Sequence, residues 1–257
     1  METQIKLDNE TFGVFMQVIS LISKSCNDLT ITEGQIRQST NSRSAIFDID
    51  LSDDSLGLSE ISLSLSTIEQ KEKLLSVLYK QASDLDIIMK DSNIIFKDDY
   101  SSIQTIQPLQ HFLSNPYNKK EELESKLLLD PNGKFLECIM ESNIVQRLNT
   151  MSDALSASIL RVDLLGDKAI FSMRSSDNIA PTNVSLVTIE VDTEIPNNKY
   201  CSYQIEPFLI NSEEFKLEFW YNVDHNKVLL KLNTDIGDGE KKAPVTVWGT
   251  AHLANIE

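Results

Sequence analysis

The side chains that most often do chemistry are few here and scattered. The chain holds three histidines, His111, His225 and His252, and three cysteines, Cys26, Cys138 and Cys201. None of them falls in a metal-ligand spacing such as HExxH, HxH or CxxC. The widely separated thiols read as reduced cysteines packed as small hydrophobes. No GxGxxG, no Walker loop and no GxSxG elbow occurs, and eight glycines are few for a phosphate-cradling enzyme. Two acidic groupings come nearest to a metal site. Asp235-Ile-Gly-Asp-Gly-Glu240 is an acidic loop without the spacing of an EF-hand. Asp48-Ile-Asp50 resembles a metal-binding DxD, but Phe47, Ile49 and Leu51 alternate with it, the pattern of a half-buried strand with solvent-facing carboxylates. The expectation is a protein with no catalysis, metal or cofactor of its own.

The other chemistry is that of cations on narrow polar stripes. Phe12, Phe15, Met16, Ile19 and Ile22 recur at helical spacing, and Val14, Val18 and Leu21 widen the apolar face. What remains is a thin line of Gly13, Gln17, Ser20 and Lys24. Asp8 or Asn9 can cap this helix and Asn27-Asp28 stops it. Thr67 with Gln70 forms a capping box for a second helix. Leu74, Leu75, Val77 and Leu78 supply its buried side, with Lys73, Ser76 and Lys80 opposite and Lys71 nearby. A third helix is expected over roughly Gly133 to Ser152, with Phe135, Ile139, Val145, Leu148 and Met151 on its apolar side and a polar stripe of Asn143, Arg147 and Thr150.

Strands must position these helices. Ile5-Lys6-Leu7-Asp8 precedes the first. Leu29 to Thr32 and Gln35 to Ser39 form a hairpin across Glu33-Gly34, followed by alternating strands at Ala45 to Leu51 and Ile61 to Ser66. After the second helix come a hairpin of Leu85 to Met89 with Asn93 to Lys97, and a strand at Ser102 to Gln107. Leu127-Leu128-Leu129-Asp130 repeats the opening pattern. Strands at Ile159 to Leu164, Ala169 to Met173, Val184 to Val191, Tyr200 to Ile205, Phe215 to Tyr221, Val228 to Leu232 and Val245 to Leu253 follow, with room for only a turn of helix at Pro207 to Asn211. Between the copies, prolines 108, 116 and 131 and the charge run Lys119-Lys120-Glu121-Glu122 mark a linker. The reading is two related α+β domains, 1–107 and 127–257, joined by a connector at 108–126.

The whole chain sets outer bounds. Its 257 residues suffice for two cores, and 41% hydrophobic with 24% charged residues is an ordinary globular composition. No apolar run is long enough for a membrane span, and the opening residues lack the basic start and apolar core of a secretory signal. A net charge of −16 taken alone argues against nucleic acid. A ring with an acidic outside and a basic lining would give the same total.

The order of a strand, a striped helix, a hairpin, two alternating strands, a second helix and more strands, given twice, resembles the sliding-clamp family, with the nearest likeness to the T4-type bacteriophage clamp and similarity to proliferating cell nuclear antigen. Tyr203 to Trp220 resembles the final third of the phage clamp, Val245 to Ala254 its last strand, and Glu141 to Phe171 the opening of its second domain. The chain is somewhat longer than that clamp, and its second domain lacks a full second helix. The resemblance implies an α+β fold of two similar clamp domains with helices lining one face of antiparallel sheets. It implies a cytoplasmic, non-enzymatic processivity factor in a virus-infected cell: a homotrimeric ring that encircles double-stranded DNA without regard to sequence, tethers the replicative DNA polymerase and other partners, and has a clamp loader as a further partner. It carries Lys24, Lys73, Lys80 and Arg147 to the DNA side, with Lys71 and Lys134 behind them. It sets a peptide-docking site beside the connector, bordered by Leu109, Phe112, Leu113 and Tyr117, with Trp248 and Leu253 near it. The bland readings are that the lysines form a solvated face and that the aromatics pin the linker.

A β-rich viral structural or assembly protein, itself able to form a ring, shares the acidic and motif-poor character. The basic stripes on paired helices are what such a sandwich has no reason to keep.

Overall fold

Strand β1 (Glu2–Leu7) runs directly into helix α1 (Asn9–Ser23), and Asp8 makes the turn between them. Its carboxylate accepts the Thr11 N–H at 2.9 Å and so caps the helix. The structure, a computed structural model, describes residues 2–81, 84–108, 133–175, 182–191, 196–222, 226–237 and 239–256. Its elements fall into two compact units, Met1–Lys120 with Asp235–Val245, and Glu121–Thr234 with Thr246–Glu257.

In the first unit α1 is followed by β2 (Asp28–Ile31), β3 (Gln35–Ser39), β4 (Ala45–Asp50), β5 (Leu63–Ser66), helix α2 (Ile68–Gln81), β6 (Leu85–Lys90), β7 (Asn93–Lys97) and β8 (Ser102–Ile106). One antiparallel sheet has the order β1-β6-β7-β8. The strands alternate as the sequence predicts: Ala45, Phe47 and Ile49 of β4 are buried and their neighbours only half so.

The expected hairpin of β2 and β3 forms only at its tip. Glu33 and Gly34 both take positive φ, 50° and 73°, the backbone of a tight hairpin turn, and Thr32 bridges Gln35. Beyond the tip the strands part: β2 pairs with β5 and β3 with β4. Gln38 fills the gap, almost wholly buried. Its amide donates to the Asp28 carbonyl at 2.8 Å and accepts the Thr30 N–H at 3.1 Å, replacing a backbone ladder by one side chain.

The expected capping box of α2 does not form either. Thr67 sits at φ 51°, and its hydroxyl donates back to the Ser66 carbonyl at 2.7 Å. The helix starts instead from the Thr67 carbonyl, which accepts the N–H groups of Gln70 and Lys71.

The second unit opens with a correction. The residues expected to start a helix at Gly133 form strand β9 (Lys134–Glu141), and helix α3 spans only Ser142–Leu155. Leu136, Cys138 and Met140 are buried at every second position while Lys134, Glu137, Ile139 and Glu141 face out, which is the period of a strand. Phe135 and Ile139 therefore lie on the strand and not on a helix. The stretch Leu127–Asp130, expected as the counterpart of the opening strand, lies outside the described residues; the strand that leads into α3 is β9.

After α3 come β10 (Ala157–Leu165), β11 (Lys168–Ser175), β12 (Asn183–Glu190), β13 (Asn197–Gln204), a single 3-10 turn at Glu206–Phe208, β14 (Glu214–Asn222), β15 (Lys227–Ile236), β16 (Ala243–His252) and β17 (Ala254–Asn255). One sheet has the order β12-β11-β10-β13-β17, and β9, β14, β15 and β16 follow one another in a second. The order 12-11-10-13 is that of β4-β3-β2-β5, without the gap that Gln38 bridges. The strands β9-β14-β15-β16 likewise match β1-β6-β7-β8. The 3-10 turn stands where α2 stands in the first unit. Asn149 of α3 holds the segment beyond it, donating to the Ile210 carbonyl at 2.9 Å. Phe171, Phe208, Phe215 and Phe219 fill the core here, as Phe12, Phe15, Phe47 and Phe96 do in the first unit. Each such ring contributes about 1.5–3 kcal/mol by leaving water.

Candidate nucleic-acid-facing helix surfaces

Helix α1 is buried over most of its circumference because α2 lies on it. The Tyr79 ring of α2 meets Phe12 edge-on, with centroids 5.0 Å apart. Its hydroxyl would stand 3.0 Å from a Cβ at Gly13. Gly13, expected on the open polar stripe, is therefore buried, and its lack of a side chain is what admits the tyrosine. The remaining stripe is half-exposed Gln17 and Ser20, with exposed Lys24 just past the last turn.

Helix α2 buries a narrower face than its composition suggests. Ile68, Leu75 and Leu78 are buried, whereas Leu74 and Val77, expected inside, are 42% and 52% exposed. Lys73 and Lys80 are exposed and Lys71 half-exposed. Lys73 donates to Glu69 one turn back at 2.6 Å, which raises the ammonium's pKa and lowers the carboxyl's. Both groups are fully exposed, so the pair is a local charge balance more than a structural bond.

Helix α3 buries Val145, Leu148 and Ser152 and exposes Asn143, Arg147 and Thr150, as its periodicity predicts. Lys80 and Arg147 form no ion pair among the described residues. Lys134 lies on β9 instead of a helix. It contacts Glu137 at 2.6 Å and Glu218 at 3.7 Å. Lys216 reaches the same Glu137 at 2.9 Å, and Lys231 reaches Glu218 at 3.6 Å. Hydrogen bonds from Lys134 and then Lys216 hold the Glu137 carboxyl down at about 2. This network across β9, β14 and β15 left no signal in the sequence, since its members meet only through strand register.

Of the expected peptide-docking residues, Leu109, Phe112, Leu113 and Tyr117 lie outside the described residues, as does His111. Trp248 is only 5% exposed, its ring 5.9 Å from that of Trp220 and beneath the Lys231 ammonium at 5.1 Å. Leu253 is half-buried, and its carbonyl accepts the Asn226 amide at 3.2 Å.

Of the chemistry-bearing residues, Asp48 and the cysteines have structural surroundings, and His252 is exposed at the end of β16. Asp48 is less open than expected: it pairs with Arg37 at 2.9 Å, and both side chains are largely covered. Among the described residues no three His, Cys, Asp or Glu side chains converge to hold a metal. All three cysteines are free and buried, and burial pushes Cys26 up to about 11 and Cys138 and Cys201 up to about 12. No described helix is long and apolar enough to cross a membrane.

Two edges stand out that sequence reasoning missed. In each unit a strand ends its sheet with no described strand beyond it: β8 in the first, β12 in the second. Ile106 on β8 is 68% exposed. An unpaired edge is a ready template for another chain.

Two units of repeated topology, with antiparallel sheets and three α-helices among the described residues, give the α+β fold of the PCNA clamps. Solved clamp subunits match the chain over nearly its full length. The proliferating cellular nuclear antigen of Entamoeba histolytica aligns with a TM-score of 0.63 at 11% identity, covering 96% of this chain and 98% of that one. The protein from Thermococcus kodakaraensis gives 0.59 at 13% identity, covering 98% and 100%. The PCNA of A. fulgidus, solved with the C-terminal region of FEN-1 bound, gives 0.60 at 10% identity, covering 99% and 100%. No family model matches the sequence, and no curated protein sequence matches it.

Proposed function

We propose that this protein is a DNA polymerase processivity factor: a ring that encircles duplex DNA without regard to sequence and tethers the polymerase and other partners. The observation that carries the reading is the duplicated topology, which aligns end to end with clamp subunits. The reading takes 1–107 and 127–257 as the two clamp domains and 108–126 as the connector, although Asp235–Val245 clusters with the first unit.

Three copies close the ring head to tail. The free edge of β8 on one protomer pairs with the free edge of β12 on the next, a heterologous contact that closes only when the rotation returns to its start. The exposed Leu74 and Val77 of α2 are apolar surface available to such a contact. The helices face the hole, with Lys24, Lys73, Lys80 and Arg147 toward DNA and Lys71 and Lys134 at its margins. A loader opens the ring, and apolar peptides of the polymerase dock beside the connector on Leu109, Phe112, Leu113 and Tyr117, with Leu253 and Trp248 behind them. The reading keeps the T4-type phage likeness drawn from the Tyr203–Trp220 sequence, and with it an infected-cell cytoplasm; that stretch folds as strand, single helical turn and strand.

The test has two parts. Light scattering of the purified protein gives a trimer, and a strict monomer at high concentration refutes the ring. Replacing Lys73, Lys80 and Arg147 by glutamate abolishes stimulation of the cognate polymerase while the circular dichroism spectrum is unchanged. Undiminished stimulation refutes the assignment of the helices to the DNA side.

A further inference from the structure

Strand β9 ends its sheet, with no described strand beyond it. Its pairing with β14 decides which of its backbone groups point outward. The Tyr221 N–H bonds the Gly133 carbonyl at 2.9 Å, whereas the Glu214 carbonyl turns toward β15 and accepts the Thr234 hydroxyl at 2.7 Å. The odd-numbered residues of β14 therefore face β9, and their partners in the register are Leu136, Cys138 and Met140. That leaves the N–H and C=O groups of Glu137 and Ile139, and the N–H of Glu141, aimed at the open edge. The same three residues carry their side chains on the outer face of the sheet, where Ile139 is 59% exposed. Glu141 and Glu214 stand directly opposite each other in the register, and both are exposed. Like charges so placed destabilise a sheet. The nearest strand cation does not answer them, because Lys216 is drawn to Glu137 at 2.9 Å. The N-terminus of α3, which Glu141 precedes, offers about half a positive charge against two negative ones.

We propose that the open edge of β9 is a docking edge for an extended segment of a partner protein, which adds to the sheet as a strand with an apolar residue beside Ile139 and a basic residue two positions along, at Glu141 and Glu214. The outward backbone groups of Glu137 and Ile139 supply the hydrogen bonds, and the side chains supply the selectivity. A basic residue at the acidic pair relieves the repulsion that the free protein carries. The edge is neither β8 nor β12, so it stays open in a ring closed through those strands and does not depend on that ring.

The probe is the synthetic peptide Thr-Lys-Thr-Val-Thr-Lys-Thr, amidated and labelled with fluorescein. Its sequence reads the same in both directions, so either strand polarity can form. Fluorescence anisotropy measures its affinity for the full chain, and amide hydrogen exchange locates it. Binding is expected to slow exchange at Glu137 and Ile139. The same peptide with glutamate for lysine is expected to bind far more weakly. N-methylation of the valine, whose N–H faces β9 when it lies beside Ile139, weakens binding about tenfold, and N-methylation of the two threonines next to it does not. Ile139→Pro removes an outward donor, leaves the bonds to β14 in place and weakens binding about tenfold as well. Glu214→Lys weakens it about fivefold. A thermal melt verifies that each variant is folded, and the methylated peptides test the proposal on wild type alone. No binding at a peptide concentration on the order of 1 mM overturns the proposal. So does equal weakening by the two methylation patterns, or binding by both folded variants as tight as by wild type, because a basic peptide held only by the net charge of the protein would behave in those ways.

Discussion

The Tyr79 hydroxyl sits where a side chain at Gly13 would begin: a Cβ there would lie 3.0 Å from it. This one contact sets how α2 lies on α1, because the glycine lets the ring drop between the helices and meet Phe12 edge-on. Gly13→Leu is expected to destabilise the protein by about 1–3 kcal/mol through overpacking. In a Tyr79→Ala background the same substitution costs less, with a coupling of about 0.5–3 kcal/mol in a double-mutant cycle. Urea denaturation of the four proteins measures both. Equal cost in the two backgrounds means that Tyr79 does not set the spacing.

Asp8 joins the start of the chain to a residue far along it. Lys241, in the Asp235–Val245 segment of the same unit, donates to the Asp8 carboxylate and to the Thr11 hydroxyl, the latter at 2.9 Å. The Lys241 hydrogen bond and then the Thr11 N–H lower the Asp8 pKa from 3.8 to about 2. Since the folded value lies below the unfolded one, the stabilisation is fully present above about pH 4 and lost as pH falls toward 2. Asp8→Asn keeps a capping oxygen and loses the ion pair. Its stability should fall short of wild type at pH 6, and the two should converge as pH drops from 4 to 2. Asp8→Ala loses the cap as well, at a cost of about 1 kcal/mol. A wild-type advantage that is constant across this pH range would mean that the pair contributes nothing.

The first helix and most strands were legible because local period decides them. Phe12, Phe15, Ile19 and Ile22 admit one face, and Phe47, Ile49 and Leu51 admit one alternation. Strand β9 was misread because two periods coexist in it. Phe135 and Ile139 stand four apart and Val145 and Leu148 three apart, each a helical step, while Leu136, Cys138 and Met140 alternate, and Cys138 had to be counted as a hydrophobe for the second pattern to show. For α2, burial was a question of what lies against the helix. Leu74 and Val77 are as apolar as Leu75 and Leu78, and only the packing on α1 chooses between them. Gly13 looked polar by default, although its smallness served a partner sixty-six positions away in sequence. The basic stripe was legible at Lys73, Lys80 and Arg147, which are exposed as expected. Glu69, which pairs with Lys73, was visible in the same stretch, one turn back.

The cysteines give a simple test of core integrity. Burial raises all three thiols to about 11 or 12. At pH 8 a thiol at about 11 is ionised in only about one molecule per thousand, and the reactive species is the thiolate. Native protein should therefore react with a soluble disulfide reagent orders of magnitude more slowly than protein in denaturant, where three thiols become available. Rapid modification of any one under native conditions would show that its surroundings open on the experimental timescale.

Edge geometry predicts which substitutions should prevent the proposed ring and leave the protomer folded. Gln107 and Ser101 bond across to Ser92 and Asp98 on the β7 side, so the odd-numbered residues of β8 face β7 and the N–H of Gln104 points to the open edge. Gln104→Pro removes that donor and breaks no backbone bond within the β1-β6-β7-β8 sheet, losing besides it only the exposed side-chain bond from Gln104 Nε2 to Asn93 Oδ1 at 3.2 Å, since proline is tolerated where the N–H faces away from the ladder. On β12, the Val191 N–H bonds the Asp167 carbonyl, and by the same parity Thr188 faces outward. Thr188→Pro is its counterpart on the other edge. Each variant should unfold with a single cooperative transition and yet scatter light as a monomer at concentrations where wild type is a trimer. Mixing the two should not restore trimers, because a closed ring needs an intact contact at every junction. Thr105→Pro, whose N–H faces β7, should instead destabilise the protomer itself. Trimers that survive both edge prolines would place the subunit contact elsewhere on the molecule.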